Sequence, residues 1–215
     1  MNGMKYRQIL KILESAHGST MLGNFGNEDP WQTLIATILS ARSRDETTEV
    51  VARELFKIYP DCASLAAAPV RKVEKLIKRT GFYKTKARRI IGVSKLLMEK
   101  YGGQVPEDFE ELIALPGVGR KTAACVLVYA FGKAAIPVDT HVHRISNRLG
   151  WVSTKTPEQT EFALRKSIPE KYWLAINDLL VWHGKNVCKP IRPLCSICRI
   201  ESLCAKVITR KSPGR

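Results

Sequence analysis

Apolar residues recur every three or four positions along most of this chain, and strict alternation of apolar and polar residues is rare. A period near 3.6 is typical of amphipathic α-helices, whereas a period of two is typical of strands. The apolar positions of the predicted helices are Tyr6, Ile9, Leu10 and Leu13; Trp31, Leu34, Ile35, Ile38 and Leu39; Val50, Val51, Leu55, Phe56 and Ile58; Val73, Leu76 and Ile77; Ala87, Ile90, Ile91, Val93, Leu96, Leu97 and Met98; Phe109, Leu112 and Ile113; and Val142, Ile145 and Leu149. Three further helices are predicted over 120–131, 157–167 and 169–183, so the fold class is all-α.

Proline and glycine separate these helices. Pro30 suits the first turn of its helix, and Gly81, the pair Gly102–Gly103 and Gly150 end others. The connections are short, which favours direct packing of neighbouring helices.

The segment LPGVGRKTA, residues 115–123, predicts a tight turn followed by a helix. Pro116 ends the preceding short helix, and we expect Gly117 and Gly119, with Val118 between them, to supply positive φ angles and close approach. Arg120 then begins a helix whose N–H groups can bind an anion such as a phosphate. An ordinary turn between two helices is the alternative.

A lysine and an aspartate near this turn are candidates for catalysis. Lys121 lies in the first turn of the predicted helix, where the helix end and burial would lower its pKa and make it a usable nucleophile. It can equally be a surface lysine that contacts phosphate. Asp139 follows 18 residues later, directly before a helix, and either it or Thr140 is suited to be the N-cap. Capping and catalysis are compatible roles.

The net charge of the chain indicates which class of molecule it binds. With 35 Lys and Arg against 20 Asp and Glu, the 215-residue chain carries +15, which favours a nucleic acid over a membrane surface. The sequence has no run of apolar residues long enough for a transmembrane helix, and no apolar signal-peptide region at its start. We therefore expect an intracellular protein without a membrane partner.

Four of the six cysteines form one cluster, Cys188, Cys195, Cys198 and Cys204. In a reducing compartment such a cluster is more typical of a metal site than of disulfides. Its irregular spacing, with one C-x2-C pair, fits a cubane iron–sulfur cluster better than zinc. Lys189 and Arg192 lie in the loop that the cysteines enclose and are candidates for contacting DNA. Cys62 and Cys125 have apolar neighbours and are expected to be buried without a chemical role.

Taken together, these motifs resemble the endonuclease III family of base-excision DNA glycosylases. The resemblance covers residues 24–204 and is carried by ILSARSRDETT, GFYKTKARRI, VPEDFEELIALPGVGRKTA, IPVDTHVHRISNRLG and the cysteine loop. It implies two helical lobes that flank a DNA cleft. Residues 24–132 would form a six-helix barrel lobe with the helix–hairpin–helix, and residues 1–23 with 133–215 an iron–sulfur cluster lobe.

The resemblance also implies roles for individual residues. Lys121 matches the family's nucleophile, Asp139 its carboxylate, and the four cysteines its 4Fe–4S ligands. The substrate would be double-stranded DNA with a damaged base or an abasic (AP) site. The damaged pyrimidine would leave through a lysine Schiff base, and β-elimination would nick the strand.

One position departs from the family's pattern. Arg42, in LSARSRD, stands where many members have a glutamine in a loop that fills the helix. An arginine can enter the space of a flipped base or bind the orphaned partner base. Phe82, in TGFYKTKA, is placed as a second wedge that stacks between bases, or is a core aromatic at a helix end.

Two other functions are compatible with the sequence. One is a monofunctional glycosylase for mismatches or uracil-type bases, although such relatives typically lack the lysine at position 121. The other is a non-catalytic helix–hairpin–helix DNA-binding module with a structural metal. We further expect a monomer that is cytoplasmic and associated with the nucleoid through DNA.

Overall fold

A computed structural model describes residues 3–16 and 29–207 of the chain. These residues form helices and contain no strand, so the predicted all-α class is confirmed. They divide into two compact units, residues 29–135 and residues 3–16 with 136–207. The predicted lobe boundary between residues 23 and 24 lies outside the described residues.

The first unit contains seven helices around one apolar core. They are α2 (Pro30–Ser40), α3 (Asp45–Ile58), α4 (Cys62–Ala66), α5 (Val70–Leu76), α6 (Tyr83–Tyr101), α7 (Phe109–Ala114) and α8 (Arg120–Phe131). Helix α2 lies in the core, because all its residues from 33 to 39 are buried. Asp29 caps it by accepting a bond from the N–H of Trp31 at 2.7 Å.

The second unit combines the N-terminal helix with the C-terminal part of the chain. Its helices are α1 (Gly3–Glu14), α9 (Thr140–Arg148), α10 (Pro157–Ser167) and α11 (Trp173–Asn186), with three short 3₁₀ helices at Glu170–Tyr172, Cys195–Ile197 and Glu201–Leu203. Tyr6 of α1 packs edge-on against Trp151, with 5.1 Å between ring centroids. This contact joins two segments that are far apart in the sequence.

The structure differs in two respects from the helices that the apolar spacing predicts. Helix α4 was not predicted, because five residues are too few to show a period; a capping box between Asp61 and Ser64 forms it. In addition, Val50, Ile58 and Met98 were assigned to apolar helix faces but are 46%, 54% and 39% exposed. Each lies on the outer side of a helix whose remaining apolar residues are buried or partly buried.

Candidate functional site

A tight turn joins α7 to α8 in the first unit. Asp108 caps α7 by accepting bonds from the N–H groups of Glu110 and Glu111. The N–H of Val118 then bonds to the carbonyl of Leu115 at 3.1 Å and closes the turn. Val118 is buried in the core, so only its backbone can contact a ligand. The segment therefore forms the helix–hairpin–helix that the sequence predicts.

The two glycines of the turn have different reasons to be glycine. Gly117 has a φ of +80°, and a Cβ there would lie 2.7 Å from Cδ of Arg89. Gly119 is extended, with φ −99°, so the expected positive φ is wrong at this position. A Cβ on Gly119 would meet no atom within 4 Å. The space beside Gly119 is open, as close approach of a ligand to the backbone requires.

Helix α8 lacks a side-chain cap at its N-terminus. Gly119 is the N-cap and has no side chain to accept a bond from the first turn, unlike Asp108 of α7. Lys121 is half-buried in this first turn. The guanidinium of Arg120 lies 4.8 Å from the ring centroid of Phe109, which holds it beside the turn. An anion-binding helix end and two cations therefore lie side by side.

Arg42 and Phe82 lie next to each other although 40 positions separate them. The Cζ atom of Arg42 is 5.3 Å from the Phe82 ring centroid. Both residues adopt left-handed backbone conformations, with φ of 53° and 58°. The Phe82 side chain is 62% exposed, so it is not a core aromatic. The structure thus brings the two predicted wedge residues together.

Lys86 is buried within the run YKTKARR, where the sequence suggests only surface lysines. It is 3% exposed, and its Nζ donates to the carbonyl of Leu39 at 2.7 Å and to Ser43 Oγ at 2.8 Å. Burial lowers the pKa of Lys86 from 10.5 to about 8. The helical spacing of Lys86 from Ile90 and Val93 places it on the buried face of the helix, but in a basic run this spacing does not by itself indicate a buried lysine.

The titration of Lys86 predicts a pH dependence of stability. Its pKa is lower in the folded protein than in the unfolded chain, so below pH 8 both states hold the proton and the cost of burial is constant. Between about pH 8 and 10.5 only the unfolded chain keeps the proton, and folding becomes more favourable as pH rises. The gain from Lys86 is of the order of 3 kcal/mol over this range.

Urea unfolding of the wild type and of Lys86→Met across this range measures that gain. We expect the free energy of unfolding of the wild type to rise with pH relative to that of Lys86→Met. Lys95→Met is the control, because Lys95 lies exposed on the same helix. Parallel curves for the wild type and Lys86→Met would contradict the buried state of Lys86.

Asp139 is the N-cap of α9 in the second unit. Its Oδ1 accepts bonds from the N–H groups of His141 and Val142, both at 2.8 Å, and Oδ2 accepts neither of them. The carboxylate is held by its own helix and is half-buried. Asp139 and Lys121 belong to different units.

The four cysteines of the loop line one pocket of the second unit. All are free thiols, and none is fully buried. Burial raises the pKa of Cys198, a backbone hydrogen bond opposes this, and the other three cysteines raise it further. The other three sulfur atoms therefore lie near enough to Cys198 for their charges to raise its pKa.

Donors surround these sulfurs. Arg148 donates from Nη1 to Cys188 Sγ at 3.3 Å and also holds the carbonyls of Lys189 and Pro190. The N–H of Lys206 donates to Cys204 Sγ at 3.3 Å. Hydrogen bonds to thiolates are typical of iron–sulfur sites and tune them. Arg148 is a site residue that the sequence did not reveal.

The number and type of the donors, four cysteine sulfurs, are those that bind an iron–sulfur cluster. Within residues 3–16 and 29–207, no three His, Cys, Asp or Glu side chains form a group that could hold a metal ion. The assignment rests on chemistry: four thiols share a pocket whose other residues are mostly apolar, including Ile145, Leu149 and Ile200. Lys189 and Arg192 are exposed beside it, and Arg192 has a φ of 55°.

The comparisons with known proteins agree with this fold. The family model for the HhH-GPD superfamily of base excision DNA repair proteins matches residues 35–170. Endonuclease III of Thermotoga maritima is 50% identical over 92% of this chain and 89% of its own length.

Two solved structures have similar folds. A trapped endonuclease III–DNA covalent intermediate superposes with a TM-score of 0.84 at 34% identity, covering 96% of this chain and 97% of that one. A thermostable thymine-DNA glycosylase has a TM-score of 0.80 at 26% identity, with 92% of each chain covered.

No helix within the described ranges is long and apolar enough to cross a membrane.

Proposed function

Because this chain belongs to the endonuclease III family, we propose that it both removes damaged pyrimidines and cuts the DNA strand at the resulting site. It is a base-excision repair DNA glycosylase and binds DNA. The observation that supports the additional lyase activity is the position of Lys121, in the first turn of α8 directly after the helix–hairpin–helix.

DNA binding starts with a phosphate at the hairpin. The N–H groups at the start of α8 and the positive helix end attract it, while Gly119 leaves room for its oxygens. Arg120 and Arg89 add positive charge beside the same turn. Lys189 and Arg192 are exposed cations of the second unit. These contacts position the strand without reading its sequence.

Excision requires the damaged base to leave the stack. Flipping costs least where pairing is already weak, which favours damaged bases over intact ones. Phe82 and Arg42 would occupy the space that the base leaves. Arg42 can donate to the orphaned partner base, so it bears on which partner is preferred.

Lys121 then acts as the nucleophile. Its neutral amine attacks the sugar C1′, and the base departs with the electrons of the glycosidic bond. The nitrogen then loses a proton, and its lone pair breaks the C1′–O4′ bond, so that O4′ takes up a proton, the sugar ring opens and a protonated Schiff base forms. Loss of a C2′ proton then expels the 3′ phosphate and nicks the strand. Asp139 takes a proton from the amine and stabilises the cationic sugar. The N-cap bonds to Oδ1 fix this carboxylate for both tasks.

A 4Fe–4S cluster would be held by Cys188, Cys195, Cys198 and Cys204. Bound there, it supplies a cross-link between four points of the loop. Proteins of this family are generally iron–sulfur proteins. The cluster would brace Lys189 and Arg192 against DNA. We also propose that the protein acts as a monomer, in the cytoplasm and on the nucleoid.

An assay on a duplex with one thymine glycol, an oxidised pyrimidine, tests this function. We expect release of the base and a nick at the same position, without added nuclease. Base release without a nick would instead identify a monofunctional enzyme. DNA binding with neither base release nor a nick would identify a non-catalytic DNA-binding module.

The two hairpin glycines offer a matched pair of variants. Gly119→Ala should keep the free energy of unfolding within about 0.5 kcal/mol of wild type, because its φ is ordinary and its Cβ meets nothing. It should weaken DNA binding about tenfold, equivalent to ~1.4 kcal/mol. Gly117→Ala should cost about 1–2 kcal/mol of stability through its positive φ.

Urea unfolding and fluorescence anisotropy with a duplex containing an AP-site analogue measure the two effects. Wild-type binding by a folded Gly119→Ala protein would show that no phosphate approaches the hairpin there.

A further inference from the structure

A buried hydrogen-bond network lies under the Arg42–Phe82 pair. Lys86, on α6, donates to the carbonyl of Leu39 in the last turn of α2 and to Ser43 Oγ. Carbonyls in the last turn of a helix lack partners within the helix, so the ammonium acts as a C-cap for α2. The charged amine of Lys86 is therefore buried, away from water, at the C-terminal end of α2.

Ser43 connects this point to a second segment. Its Oγ accepts the bond from Lys86 at 2.8 Å and another from the N–H of Gly81 at 3.1 Å. A Cβ on Gly81 would lie 2.7 Å from the carbonyl oxygen of Arg42, so the two segments touch backbone to backbone. The network therefore joins the residue after Arg42 to the residue before Phe82.

The two residues that this network flanks are strained. A left-handed φ is uncommon for arginine and phenylalanine, and it is kept only where the surroundings enforce it. In this backbone conformation the Phe82 side chain is 62% exposed, and the guanidinium of Arg42 lies 5.3 Å from its ring centroid. An exposed apolar ring held in strained backbone contributes little to the core.

We propose that Lys86 and Ser43 are positioning residues that hold Arg42 and Phe82 as one preformed stacked wedge, which enters the duplex when the base leaves it. The proposal rests on the proposed function, because it assumes that this pair enters the DNA. The preformed geometry spares the loss of conformational freedom on binding that two separate mobile side chains would suffer. Lys86 itself touches neither DNA nor the reacting atoms.

A double-mutant cycle between Lys86→Met and Phe82→Ala tests the proposal. Each single variant should lower kcat/KM for thymine glycol in duplex DNA between about tenfold and 100-fold, as a displacement of about 1 Å can cause. The loss in the double variant should be clearly smaller than the product of the two single losses, because part of the effect of Lys86 acts through that ring. Lys95→Met, on the same helix, should match the wild type.

Two further measurements keep the outcome decisive. Urea unfolding establishes that each variant is folded, and Ser43→Ala replaces Lys86→Met if the latter is not. Borohydride trapping on DNA with a preformed AP site needs no base excision. Trapping by wild type and Lys86→Met alike shows that the lysine chemistry is intact, whereas failure of the wild type to trap would count against the proposed function itself.

Two results would overturn the wedge proposal. One is wild-type excision by a folded Lys86→Met or Ser43→Ala protein. The other is a double variant whose loss is the product of the two single losses, because that indicates independent roles.

Discussion

Cys198→Ser is expected to unfold much of the second unit and to abolish the visible absorption of an iron–sulfur centre. The loop from residue 187 to 207 has only two short 3₁₀ helices. It leaves Ile191 and Ile197 82% and 66% exposed, and Ile200 is its one fully buried isoleucine. A segment that buries so little apolar surface needs a cross-link. The loss should reach about 4 kcal/mol or more, the upper range for one substitution.

Absorption spectra and hydrogen exchange measure this effect. Exchange should rise more in residues 136–207 than in residues 29–135, because the loop belongs to the second unit. Cys125→Ala is the control, since Cys125 is buried in the first unit and should leave the absorption intact. A colourless wild type, or full stability and colour in Cys198→Ser, would contradict the cluster assignment.

Lys121→Gln and Asp139→Asn should remove catalysis while the protein stays folded and binds DNA. Glutamine has no nucleophilic amine, so base release and nicking by this route should both cease. Asparagine caps a helix as well as aspartate does, so the Oδ1 bonds to His141 and Val142 can persist. It cannot accept the proton, and we expect excision to fall about 10²–10⁴-fold.

Single-turnover excision with thymine glycol duplex, together with urea unfolding, checks both variants. Lys95→Gln makes the same change of charge at an exposed position and should behave as wild type. Wild-type excision by a folded Lys121→Gln protein would indicate that the base leaves without this lysine. Destabilised Asp139→Asn would assign Asp139 to capping rather than to catalysis.

Much of the fold could be predicted because apolar spacing reports helices directly. The hairpin could also be predicted, since proline and glycine restrict the backbone locally. Local rules failed where the cause is a distant contact. The glycine rule also failed once within the hairpin itself, where Gly117 has the expected positive φ but Gly119 is extended.

The environment of the wedge could not be predicted for the same reason. Lys86 belongs to a basic run that is typical of a solvated helix face, and only its contacts with Leu39 and Ser43 show that it is buried. The left-handed residues Arg42 and Phe82 lie next to Ser43 and Gly81 of that network. Arg148 likewise shows no local signal, since its partners lie about 40 positions away in the cysteine loop.

The Schiff base between Nζ of Lys121 and the sugar can be detected directly by borohydride reduction of the wild type on AP-site DNA, followed by peptide mapping of the adduct. We expect one covalent adduct, located at Lys121 and missing in Lys121→Gln but present in Lys95→Gln. An adduct at another lysine, or none with wild-type protein that still releases the base, would contradict it.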